Sequence, residues 1–243
     1  MALNLIRRTN LGMPLSICVL MLVALPIPAR SQDDTVPVSA EVNHKIRLDN
    51  GRVRVYEVKL AKGSATAFHE HTVDNFAVIL NTTTRANEPK GGERTISPVK
   101  AGQVGFSSTA KGPYTHRVEA TGDEPYRNIT IEILLVGNIG GAVKNPRRPD
   151  PFVPATQDSP RGIAYRLTLK PGATTQVFQR PANTLVVAVS GGRISELLEG
   201  KERRLWDLDK GSFRWVDEAT RLAIRNEGNA DIELVEIEVF LNP

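Results

Sequence analysis

Hydrophobic and polar residues alternate in short runs along most of the chain. Residues 53–58, 129–133 and 234–239 each place an apolar side chain at about every second position. Because successive side chains of a strand point to opposite faces, this period of two predicts β-strands. Gly, Pro, Asn and Asp separate the runs, and no long stretch has a convincing helical period. The pattern therefore predicts an all-β protein built from sandwiches or barrels.

The alternating pattern occurs twice. Residues 56–63 match residues 165–172 at an offset of 109, and the same offset relates Gly102 to Gly211. Farther along the chain, the offset between Gly122 and Gly228 is 106, so the second copy lacks three residues between Gly211 and Gly228. Such repetition predicts two similar domains, at 44–137 and 161–241. The Pro-rich segment 138–160 between them is expected to be an extended linker or an arm across the other half.

The first 31 residues have the features of a secretory signal peptide. Arg7 and Arg8 precede the nearly apolar run 11–28, and small residues follow at Ala29 and Ser31. A retained membrane anchor is the other interpretation, but prolines shorten the apolar core below the roughly 20 residues that span a bilayer. Cleavage after either small residue predicts a secreted or periplasmic protein with no stable membrane span.

Removing this segment changes the charge and the cysteine content. The full chain has 31 Lys and Arg and 27 Asp and Glu. Three of the arginines precede residue 32, so the mature chain has 28 basic and 27 acidic residues and a net charge of about +1. The single cysteine, Cys18, is also removed, so no disulfide is expected. The basic stretch 144–148 is Pro-rich and is interpreted as a solvated linker, so no nucleic-acid partner is expected.

Three of the four histidines are placed to share a cavity. His69 and His71 are two residues apart, so both imidazoles point to one face of a strand. His116 lies on a later segment, 113–118, that is also predicted to be a strand. Neutral imidazole commonly binds transition metals. The three are therefore predicted metal ligands, the alternative being a polar pocket without metal, and His44 is expected to be an ordinary exposed residue.

The region around His69 resembles the first motif of the cupin superfamily, whose fold is the double-stranded β-helix or jelly roll. That motif runs G-x5-H-x-H-x3-E-x6-G. Gly63, His69 and His71 match it, while the glutamate position falls on Asn75 and the last glycine on Thr82.

The second cupin motif, G-x5-P-x-G-x2-H-x3-N, is matched more loosely. Gly102 opens it, residues 112–113 form a shifted version of its turn, His116 takes its histidine, and Ala120 replaces its asparagine. The resemblance covers most of 44–137 and, through the repeat, 161–241. It implies a bicupin, with two jelly-roll barrels.

The resemblance also implies the ligand set. His69, His71 and His116 fill three family ligand positions, and Asn75 stands at the fourth, where its amide oxygen binds weakly or orients a water. Asp74 is one residue away and is expected on the opposite face of the strand. Such a site suits zinc with a water ligand, or Fe, Mn, Ni or Cu.

The second copy has other residues at these positions. Phe178, Arg180 and Leu222 stand where His69, His71 and His116 stand in the first, and Thr184 takes the glutamate position. It is expected to bind no metal and to pack against the first barrel, close its edge or support a homodimer. An alternative role for Arg180 is to face an anionic ligand.

Two functions are compatible with these features. The first is a metal-dependent small-molecule enzyme, oxygenase-like or isomerase-like, with Phe106, Tyr114 and Val118 as candidates for lining its pocket together with Ala77 and Ile79. The second is a non-catalytic module that binds a small ligand. The sequence has no G-x-S-x-G elbow and no cysteine in the mature chain, so nucleophilic hydrolysis is not supported.

Overall fold

In the computed structural model, the described residues are 34–135, 148–156, 159–200 and 203–241, and they form an all-β protein. The strands before residue 136 are β1 (Thr35–Pro37), β2 (His44–Asp49), β3 (Val53–Leu60), β4 (Phe68–His71), β5 (Asn75–Ile79), β6 (Thr83–Pro89), β7 (Thr95–Val99), β8 (Val104–Ser107), β9 (Tyr114–Ala120) and β10 (Tyr126–Ile133). The strands after residue 147 are β11 (Phe152–Pro154), β12 (Gly162–Leu169), β13 (Phe178–Arg180), β14 (Thr184–Ala188), β15 (Gly192–Leu198), β16 (Arg204–Leu208), β17 (Phe213–Val216), β18 (Thr220–Asn226) and β19 (Ile232–Val239). A short 3-10 helix spans Val38–Ala40.

Within the described ranges, no helix is long and apolar enough to span a membrane. The segment interpreted as a signal peptide lies outside these ranges.

The first ten strands form a jelly roll of two five-stranded sheets. Their strand orders are β1-β4-β9-β6-β7 and β2-β3-β10-β5-β8. From β3 to β6, and again from β7 to β10, the chain crosses to the other sheet at every strand. All pairings are antiparallel except that of β1 with β4. The inner faces of these two sheets enclose the cavity described below.

The remaining strands form a second jelly roll with the same strand order. Its sheets are β11-β12-β19-β14-β17 and β13-β18-β15-β16, so among the described residues only β1 lacks a counterpart. The repeat extends to the turn before β4 and β13, where Gly63 and Gly172 have φ of 76° and 73°. Glycine reaches this left-handed region without the steric cost that a β-carbon brings.

The Pro-rich segment between the halves contributes to the second jelly roll. Residues 138–147 and 157–158 lie outside the described ranges, but β11 forms the edge of a sheet through its pairing with β12. Just before β11, Arg148 is buried and donates from Nε to Glu238 at 2.8 Å. The sheet of the second half therefore starts before residue 161, and this part of the segment is a strand of its own half.

One hydrophobic cluster joins the two jelly rolls. It contains Val55, Phe76 and Ile131 from the first and Leu185 and Ile237 from the second, all with no exposed surface. These residues belong to the β2-β3-β10-β5-β8 and β11-β12-β19-β14-β17 sheets, so the outer faces of those sheets pack together. The expected packing of the second copy against the first is confirmed. As a result, the β2-β3-β10-β5-β8 sheet has the second jelly roll on one face and the cavity on the other.

Candidate metal centre

The predicted histidines meet on two paired strands. His69 on β4 lies directly opposite His116 on β9, and His71 lies one inward position further along β4. The ring centroids of His69 and His116 are 4.5 Å apart, and that of His71 is 5.1 Å from His69 and 5.3 Å from His116. His69 and His71 are buried, with exposed fractions of 1% and 3%. His69 and His71 point to the same face of β4, and His116 lies opposite His69 on β9, so the three rings lie close together.

His44 joins this cluster, and the expectation that it is an ordinary exposed residue is wrong. Its exposed fraction is 8%, and its ring centroid lies 4.5 Å from that of His69 and 6.4 Å from that of His71. It is the first residue of β2, in the opposite sheet, and it reaches across the interior of the jelly roll. Ring nitrogens of His44, His69 and His71 lie within 4.8 Å of one another, a spacing that could hold a metal ion.

Hydrogen bonds fix the tautomer of three of the four rings. In each, the Nδ1 atom lies at hydrogen-bond distance from an oxygen that can only accept. The pairs are His44 with Glu41 Oε2 at 2.7 Å, His69 with the Ala67 carbonyl at 3.0 Å, and His116 with Asn87 Oδ1 at 2.7 Å. Nδ1 therefore carries a proton in each, and in His69 and His116, whose pKa values burial lowers, Nε2 keeps the lone pair that a metal requires. Metal-ligating histidines are typically held by such partners.

The fourth ring, His71, stands between an amide and a carboxylate. Its Nδ1 is 3.4 Å from Asn75 Nδ2 and 3.6 Å from the buried Glu132, which also accepts a hydrogen bond from the Tyr56 hydroxyl at 2.9 Å. Asn75 Nδ2 donates to the Tyr114 hydroxyl at 2.9 Å, and the Tyr114 ring stacks on His71 at 4.8 Å. Asn75 thus lines the cavity, as expected for the fourth motif position, with its amide nitrogen engaged by Tyr114.

Burial keeps two of the rings neutral. It lowers the pKa of His69 from 6.5 to about 3, with a further contribution from His44. Burial, followed by the neighbouring His69 and His71 and the charge of Arg85, lowers the pKa of His116 to about 2. For Tyr114, burial raises the pKa above its usual value, so the phenol keeps its proton at neutral pH.

These shifts predict an acid-sensitive fold in protein stripped of metal. Because the folded pKa of His69 lies below the unfolded value of 6.5, its contribution is complete above pH 6.5 and is lost as the pH falls toward 3. At pH 5 the expected loss is about 2 kcal/mol for this histidine alone. Urea unfolding between pH 7.5 and 5 measures it. A variant carrying His69→Gln and His116→Gln should show a flatter pH dependence, and equal slopes would contradict the assignment.

The histidines line a cavity of about 450 Å³ inside the first jelly roll. Tyr114 and Val118 line it as expected, together with Ala77 and Ile79. Phe106 lies instead on the other face of β8, where it packs against Phe76 at 4.8 Å and joins the core shared with the second jelly roll. Gly105 and Ser107, the residues on either side of Phe106 in β8, line the cavity in its place. The lining is consequently more polar than expected.

The equivalent place in the second jelly roll is filled. Phe178 lies opposite Leu222 in the β13–β18 pairing, as His69 lies opposite His116, and both are buried in one apolar cluster. Arg180, the counterpart of His71, donates to Glu196 at 2.6 Å and to Glu236 at 2.6 Å. Its guanidinium is therefore neutralised internally, which does not support the alternative that it faces an anionic ligand. The interior combines apolar packing with an ion cluster that the sequence analysis did not predict.

Several site residues were missed from sequence. Glu41, Asn87 and Glu132 support histidines, and Arg85 lines the cavity. Arg85 and Asn87 did carry a signal, since their spacing of two on β6 places both on one face. A charged residue at an inward position of a barrel strand indicates a polar interior.

No protein-family model matches the sequence, and no curated protein matches it. Solved structures do resemble the fold. AerE from Microcystis aeruginosa has a TM-score of 0.55 at 12% identity, over 80% of this chain and 95% of its own. Oxalate decarboxylase from Bacillus subtilis, studied for its Mn(II) centres, has a TM-score of 0.51 at 14% identity, over 89% and 81%. A salicylate 1,2-dioxygenase variant from Pseudoaminobacter salicylatoxidans has a TM-score of 0.51 at 11% identity, over 77% and 71%.

These likenesses establish the fold. The chain is an all-β protein of two cupin-type jelly rolls, as the motifs indicated, and the structures that it resembles include oxalate decarboxylase, a bicupin. The first jelly roll contains a group of histidines able to hold a metal.

Proposed function

We propose that the first jelly roll binds one divalent transition metal (Fe, Mn, Zn, Ni or Cu) through His69, His71 and His116. In this proposal the protein is a metal-dependent enzyme that acts on a small molecule in an oxygenase-like or isomerase-like reaction. His44 is proposed as a further ligand, in the role that the family motif gives to the carboxylate replaced by Asn75.

The observation that carries this proposal is the common orientation of the imidazoles. All four histidines of the chain line one cavity, and three of them have Nδ1 held by an acceptor. The rings lie 4.5–6.4 Å apart, and burial keeps His69 and His116 neutral, so that their Nε2 atoms retain a lone pair. This donor set fits a metal of the kind that prefers imidazole.

A bound metal would supply Lewis acidity or redox chemistry at the inner wall of the cavity. The chain's own residues would position the small molecule and control its protons. Tyr114 holds a proton at its hydroxyl, and Asn75 fixes the direction of that hydroxyl from 2.9 Å. We propose that Tyr114 donates a hydrogen bond to a substrate oxygen beside His71.

A second candidate function is a non-catalytic binding module. It is favoured by the lining of the cavity, since none of its described residues is Asp or Glu and no carboxylate is available as a general base. In this alternative the cavity would hold a small ligand, with or without metal, and would not convert it.

Turnover distinguishes the two functions. Metal-free protein would be reconstituted with each of the five metals and incubated with a panel of small oxygenated organic compounds, while oxygen uptake and products are followed. Metal-dependent conversion that disappears in His116→Ala supports the enzyme. Saturable binding with no product, with or without metal, supports the module, and the absence of metal uptake contradicts the metal-dependent enzyme.

We also propose that residues 1–31 are removed on export and that the protein works in a secreted or periplasmic location. The charged start, the apolar run and the small residues at Ala29 and Ser31 support this. Intact-mass analysis of protein recovered from the cell exterior or the periplasm tests it. A mass that includes the first 31 residues would contradict cleavage.

A further inference from the structure

Among the described residues that line the cavity, one carries a positive charge, Arg85. Arg85 lies on β6 and faces inward with Asn87, because the two are separated by one residue. The other described lining residues are histidine, uncharged polar or apolar, and none is acidic. A metal at the histidines would make the interior more positive still.

Arg85 forms no ion pair within the part of the chain that the structure describes. Its Nε atom is buried and makes no hydrogen bond, and no carboxylate pairs with its guanidinium. Its guanidinium carbon lies 5.7 Å from the centroid of the Tyr126 ring, in a cation–π contact. Arg85 is half-buried and has no carboxylate beside it, so its guanidinium is available to pair with an anion that enters the cavity.

The second jelly roll provides an internal comparison. At the offset of 109, the counterpart of Arg85 is Ile194, which is fully buried and belongs to the apolar cluster around Phe178 and Leu222. The arginines that this half does bury, such as Arg180, are paired with glutamates. The unpaired arginine thus occurs in the copy that carries the histidines, and an apolar residue replaces it in the copy that does not.

The distance between Arg85 and the histidines suits a small ligand. Arg85 lies opposite Ala120 on β9, while His116 lies opposite Pro89 on β6, so the two rungs are four residues apart. At about 3.3 Å per residue this is about 13 Å between backbones, and both side chains reach into a cavity of about 450 Å³. A molecule of a few carbon atoms would fit between the guanidinium and the imidazoles.

We propose that the cavity binds small organic carboxylates, with a carboxylate group on the Arg85 guanidinium and the rest of the molecule directed toward the histidines. Guanidinium and carboxylate match in a planar, two-bond geometry, which gives such pairs both strength and direction. This inference rests on the proposed function, in which the same cavity holds the metal and the small molecule, and it makes Arg85 the residue that selects the substrate class.

The test compares acids with neutral analogues of the same size. Calorimetric titrations would use malonate, succinate and benzoate beside malonamide, succinamide and benzamide, on metal-free and metal-loaded full-length protein. The variants are Arg85→Gln and, as a matched control, Arg94→Gln, whose arginine is surface-exposed and paired with Glu119 at 2.7 Å. Metal content and the circular dichroism of each variant are measured on the same samples.

We expect the wild type to prefer at least one acid over its amide by more than about 20-fold. Arg85→Gln should remove that preference and leave metal content and amide binding unchanged, and Arg94→Gln should behave as wild type. Equal affinity of the wild type for acids and amides, binding of neither class, or unchanged acid binding in a folded Arg85→Gln overturns the inference. If Arg85→Gln does not fold, the acid-to-amide ratio of the wild type decides.

The inference and the proposed function fail separately. A wild type that takes up no metal but binds acids through Arg85 refutes the metal centre and supports the inference. A wild type that holds metal and does not discriminate acids from amides refutes the inference alone.

Discussion

Replacing His69 with alanine is expected to abolish tight metal binding. His69 is the ring closest to two others, at 4.5 Å from both His44 and His116, so its loss opens the middle of the cluster. Because loss of a mere supporting partner costs about 10–100-fold in metal affinity, loss of a central ligand should exceed about 100-fold. Competition with a chromophoric chelator measures the dissociation constant for each metal.

Two further variants sharpen this prediction. Glu70→Gln is the matched control, because Glu70 lies between His69 and His71 on β4. This variant should bind metal as the wild type does. His44→Ala tests whether His44 is a ligand. A loss of metal affinity as large as that of His69→Ala would make His44 a full ligand, and a smaller loss would make it a supporting residue. Wild-type affinity in His69→Ala would contradict the proposed centre.

Phe178→Ala is expected to destabilise the protein strongly without affecting the metal. Phe178 is 5% exposed, packs against Phe152 at 4.9 Å between ring centroids, and lies beneath the Arg148 guanidinium at 4.6 Å. Truncation of a buried phenylalanine costs about 3–5 kcal/mol because the cavity only partly collapses. For a chain of this size, that corresponds to a melting temperature lower by about 10 °C.

The neighbouring residue supplies the control. Val177 is 52% exposed, and Val177→Ala should change stability by no more than about 0.5 kcal/mol. Melting would be followed by calorimetry, and metal content would be measured on folded protein. If Phe178→Ala kept its melting temperature but lost metal or ligand binding, the second jelly roll would be the functional half and the assignment would be reversed.

Much of the fold follows from local pattern. Alternation of period two predicts the strands, and the offset between the copies predicts that the second half repeats the first. The pairing of His69 with His116 and of Phe178 with Leu222 has the same register, which is what a repeat at these offsets requires. These features depend on residues near one another in sequence or related by the repeat, so the sequence alone suffices to find them.

His44 could not be found in this way. It has no neighbouring histidine and belongs to the opposite sheet, so only the closure of the jelly roll brings it to His69. Its hydrogen bond with Glu41, three residues earlier, is a local clue, but a Glu and a His at that spacing occur in many surroundings.

Phe106 was placed on the wrong face for a different reason. An apolar side chain was expected to face the interior of its own barrel. Here the outer face of β8 is buried against the second jelly roll, while the inner face, with Gly105 and Ser107, borders a polar cavity. The usual relation between apolar character and the inner face is therefore reversed, and a single strand of four residues does not reveal which partner covers it.

The most direct measurement of the central claim is X-ray absorption on untagged wild-type protein, combined with its metal content. The proposed centre predicts about one ion per chain, with at least three nitrogen ligands at about 2.0–2.2 Å and the scattering signature of imidazole. A variant carrying His69→Ala, His71→Ala and His116→Ala, prepared and measured in the same way, should contain almost no metal. An ion bound only by oxygen, or equal metal content in the triple variant, would contradict the account.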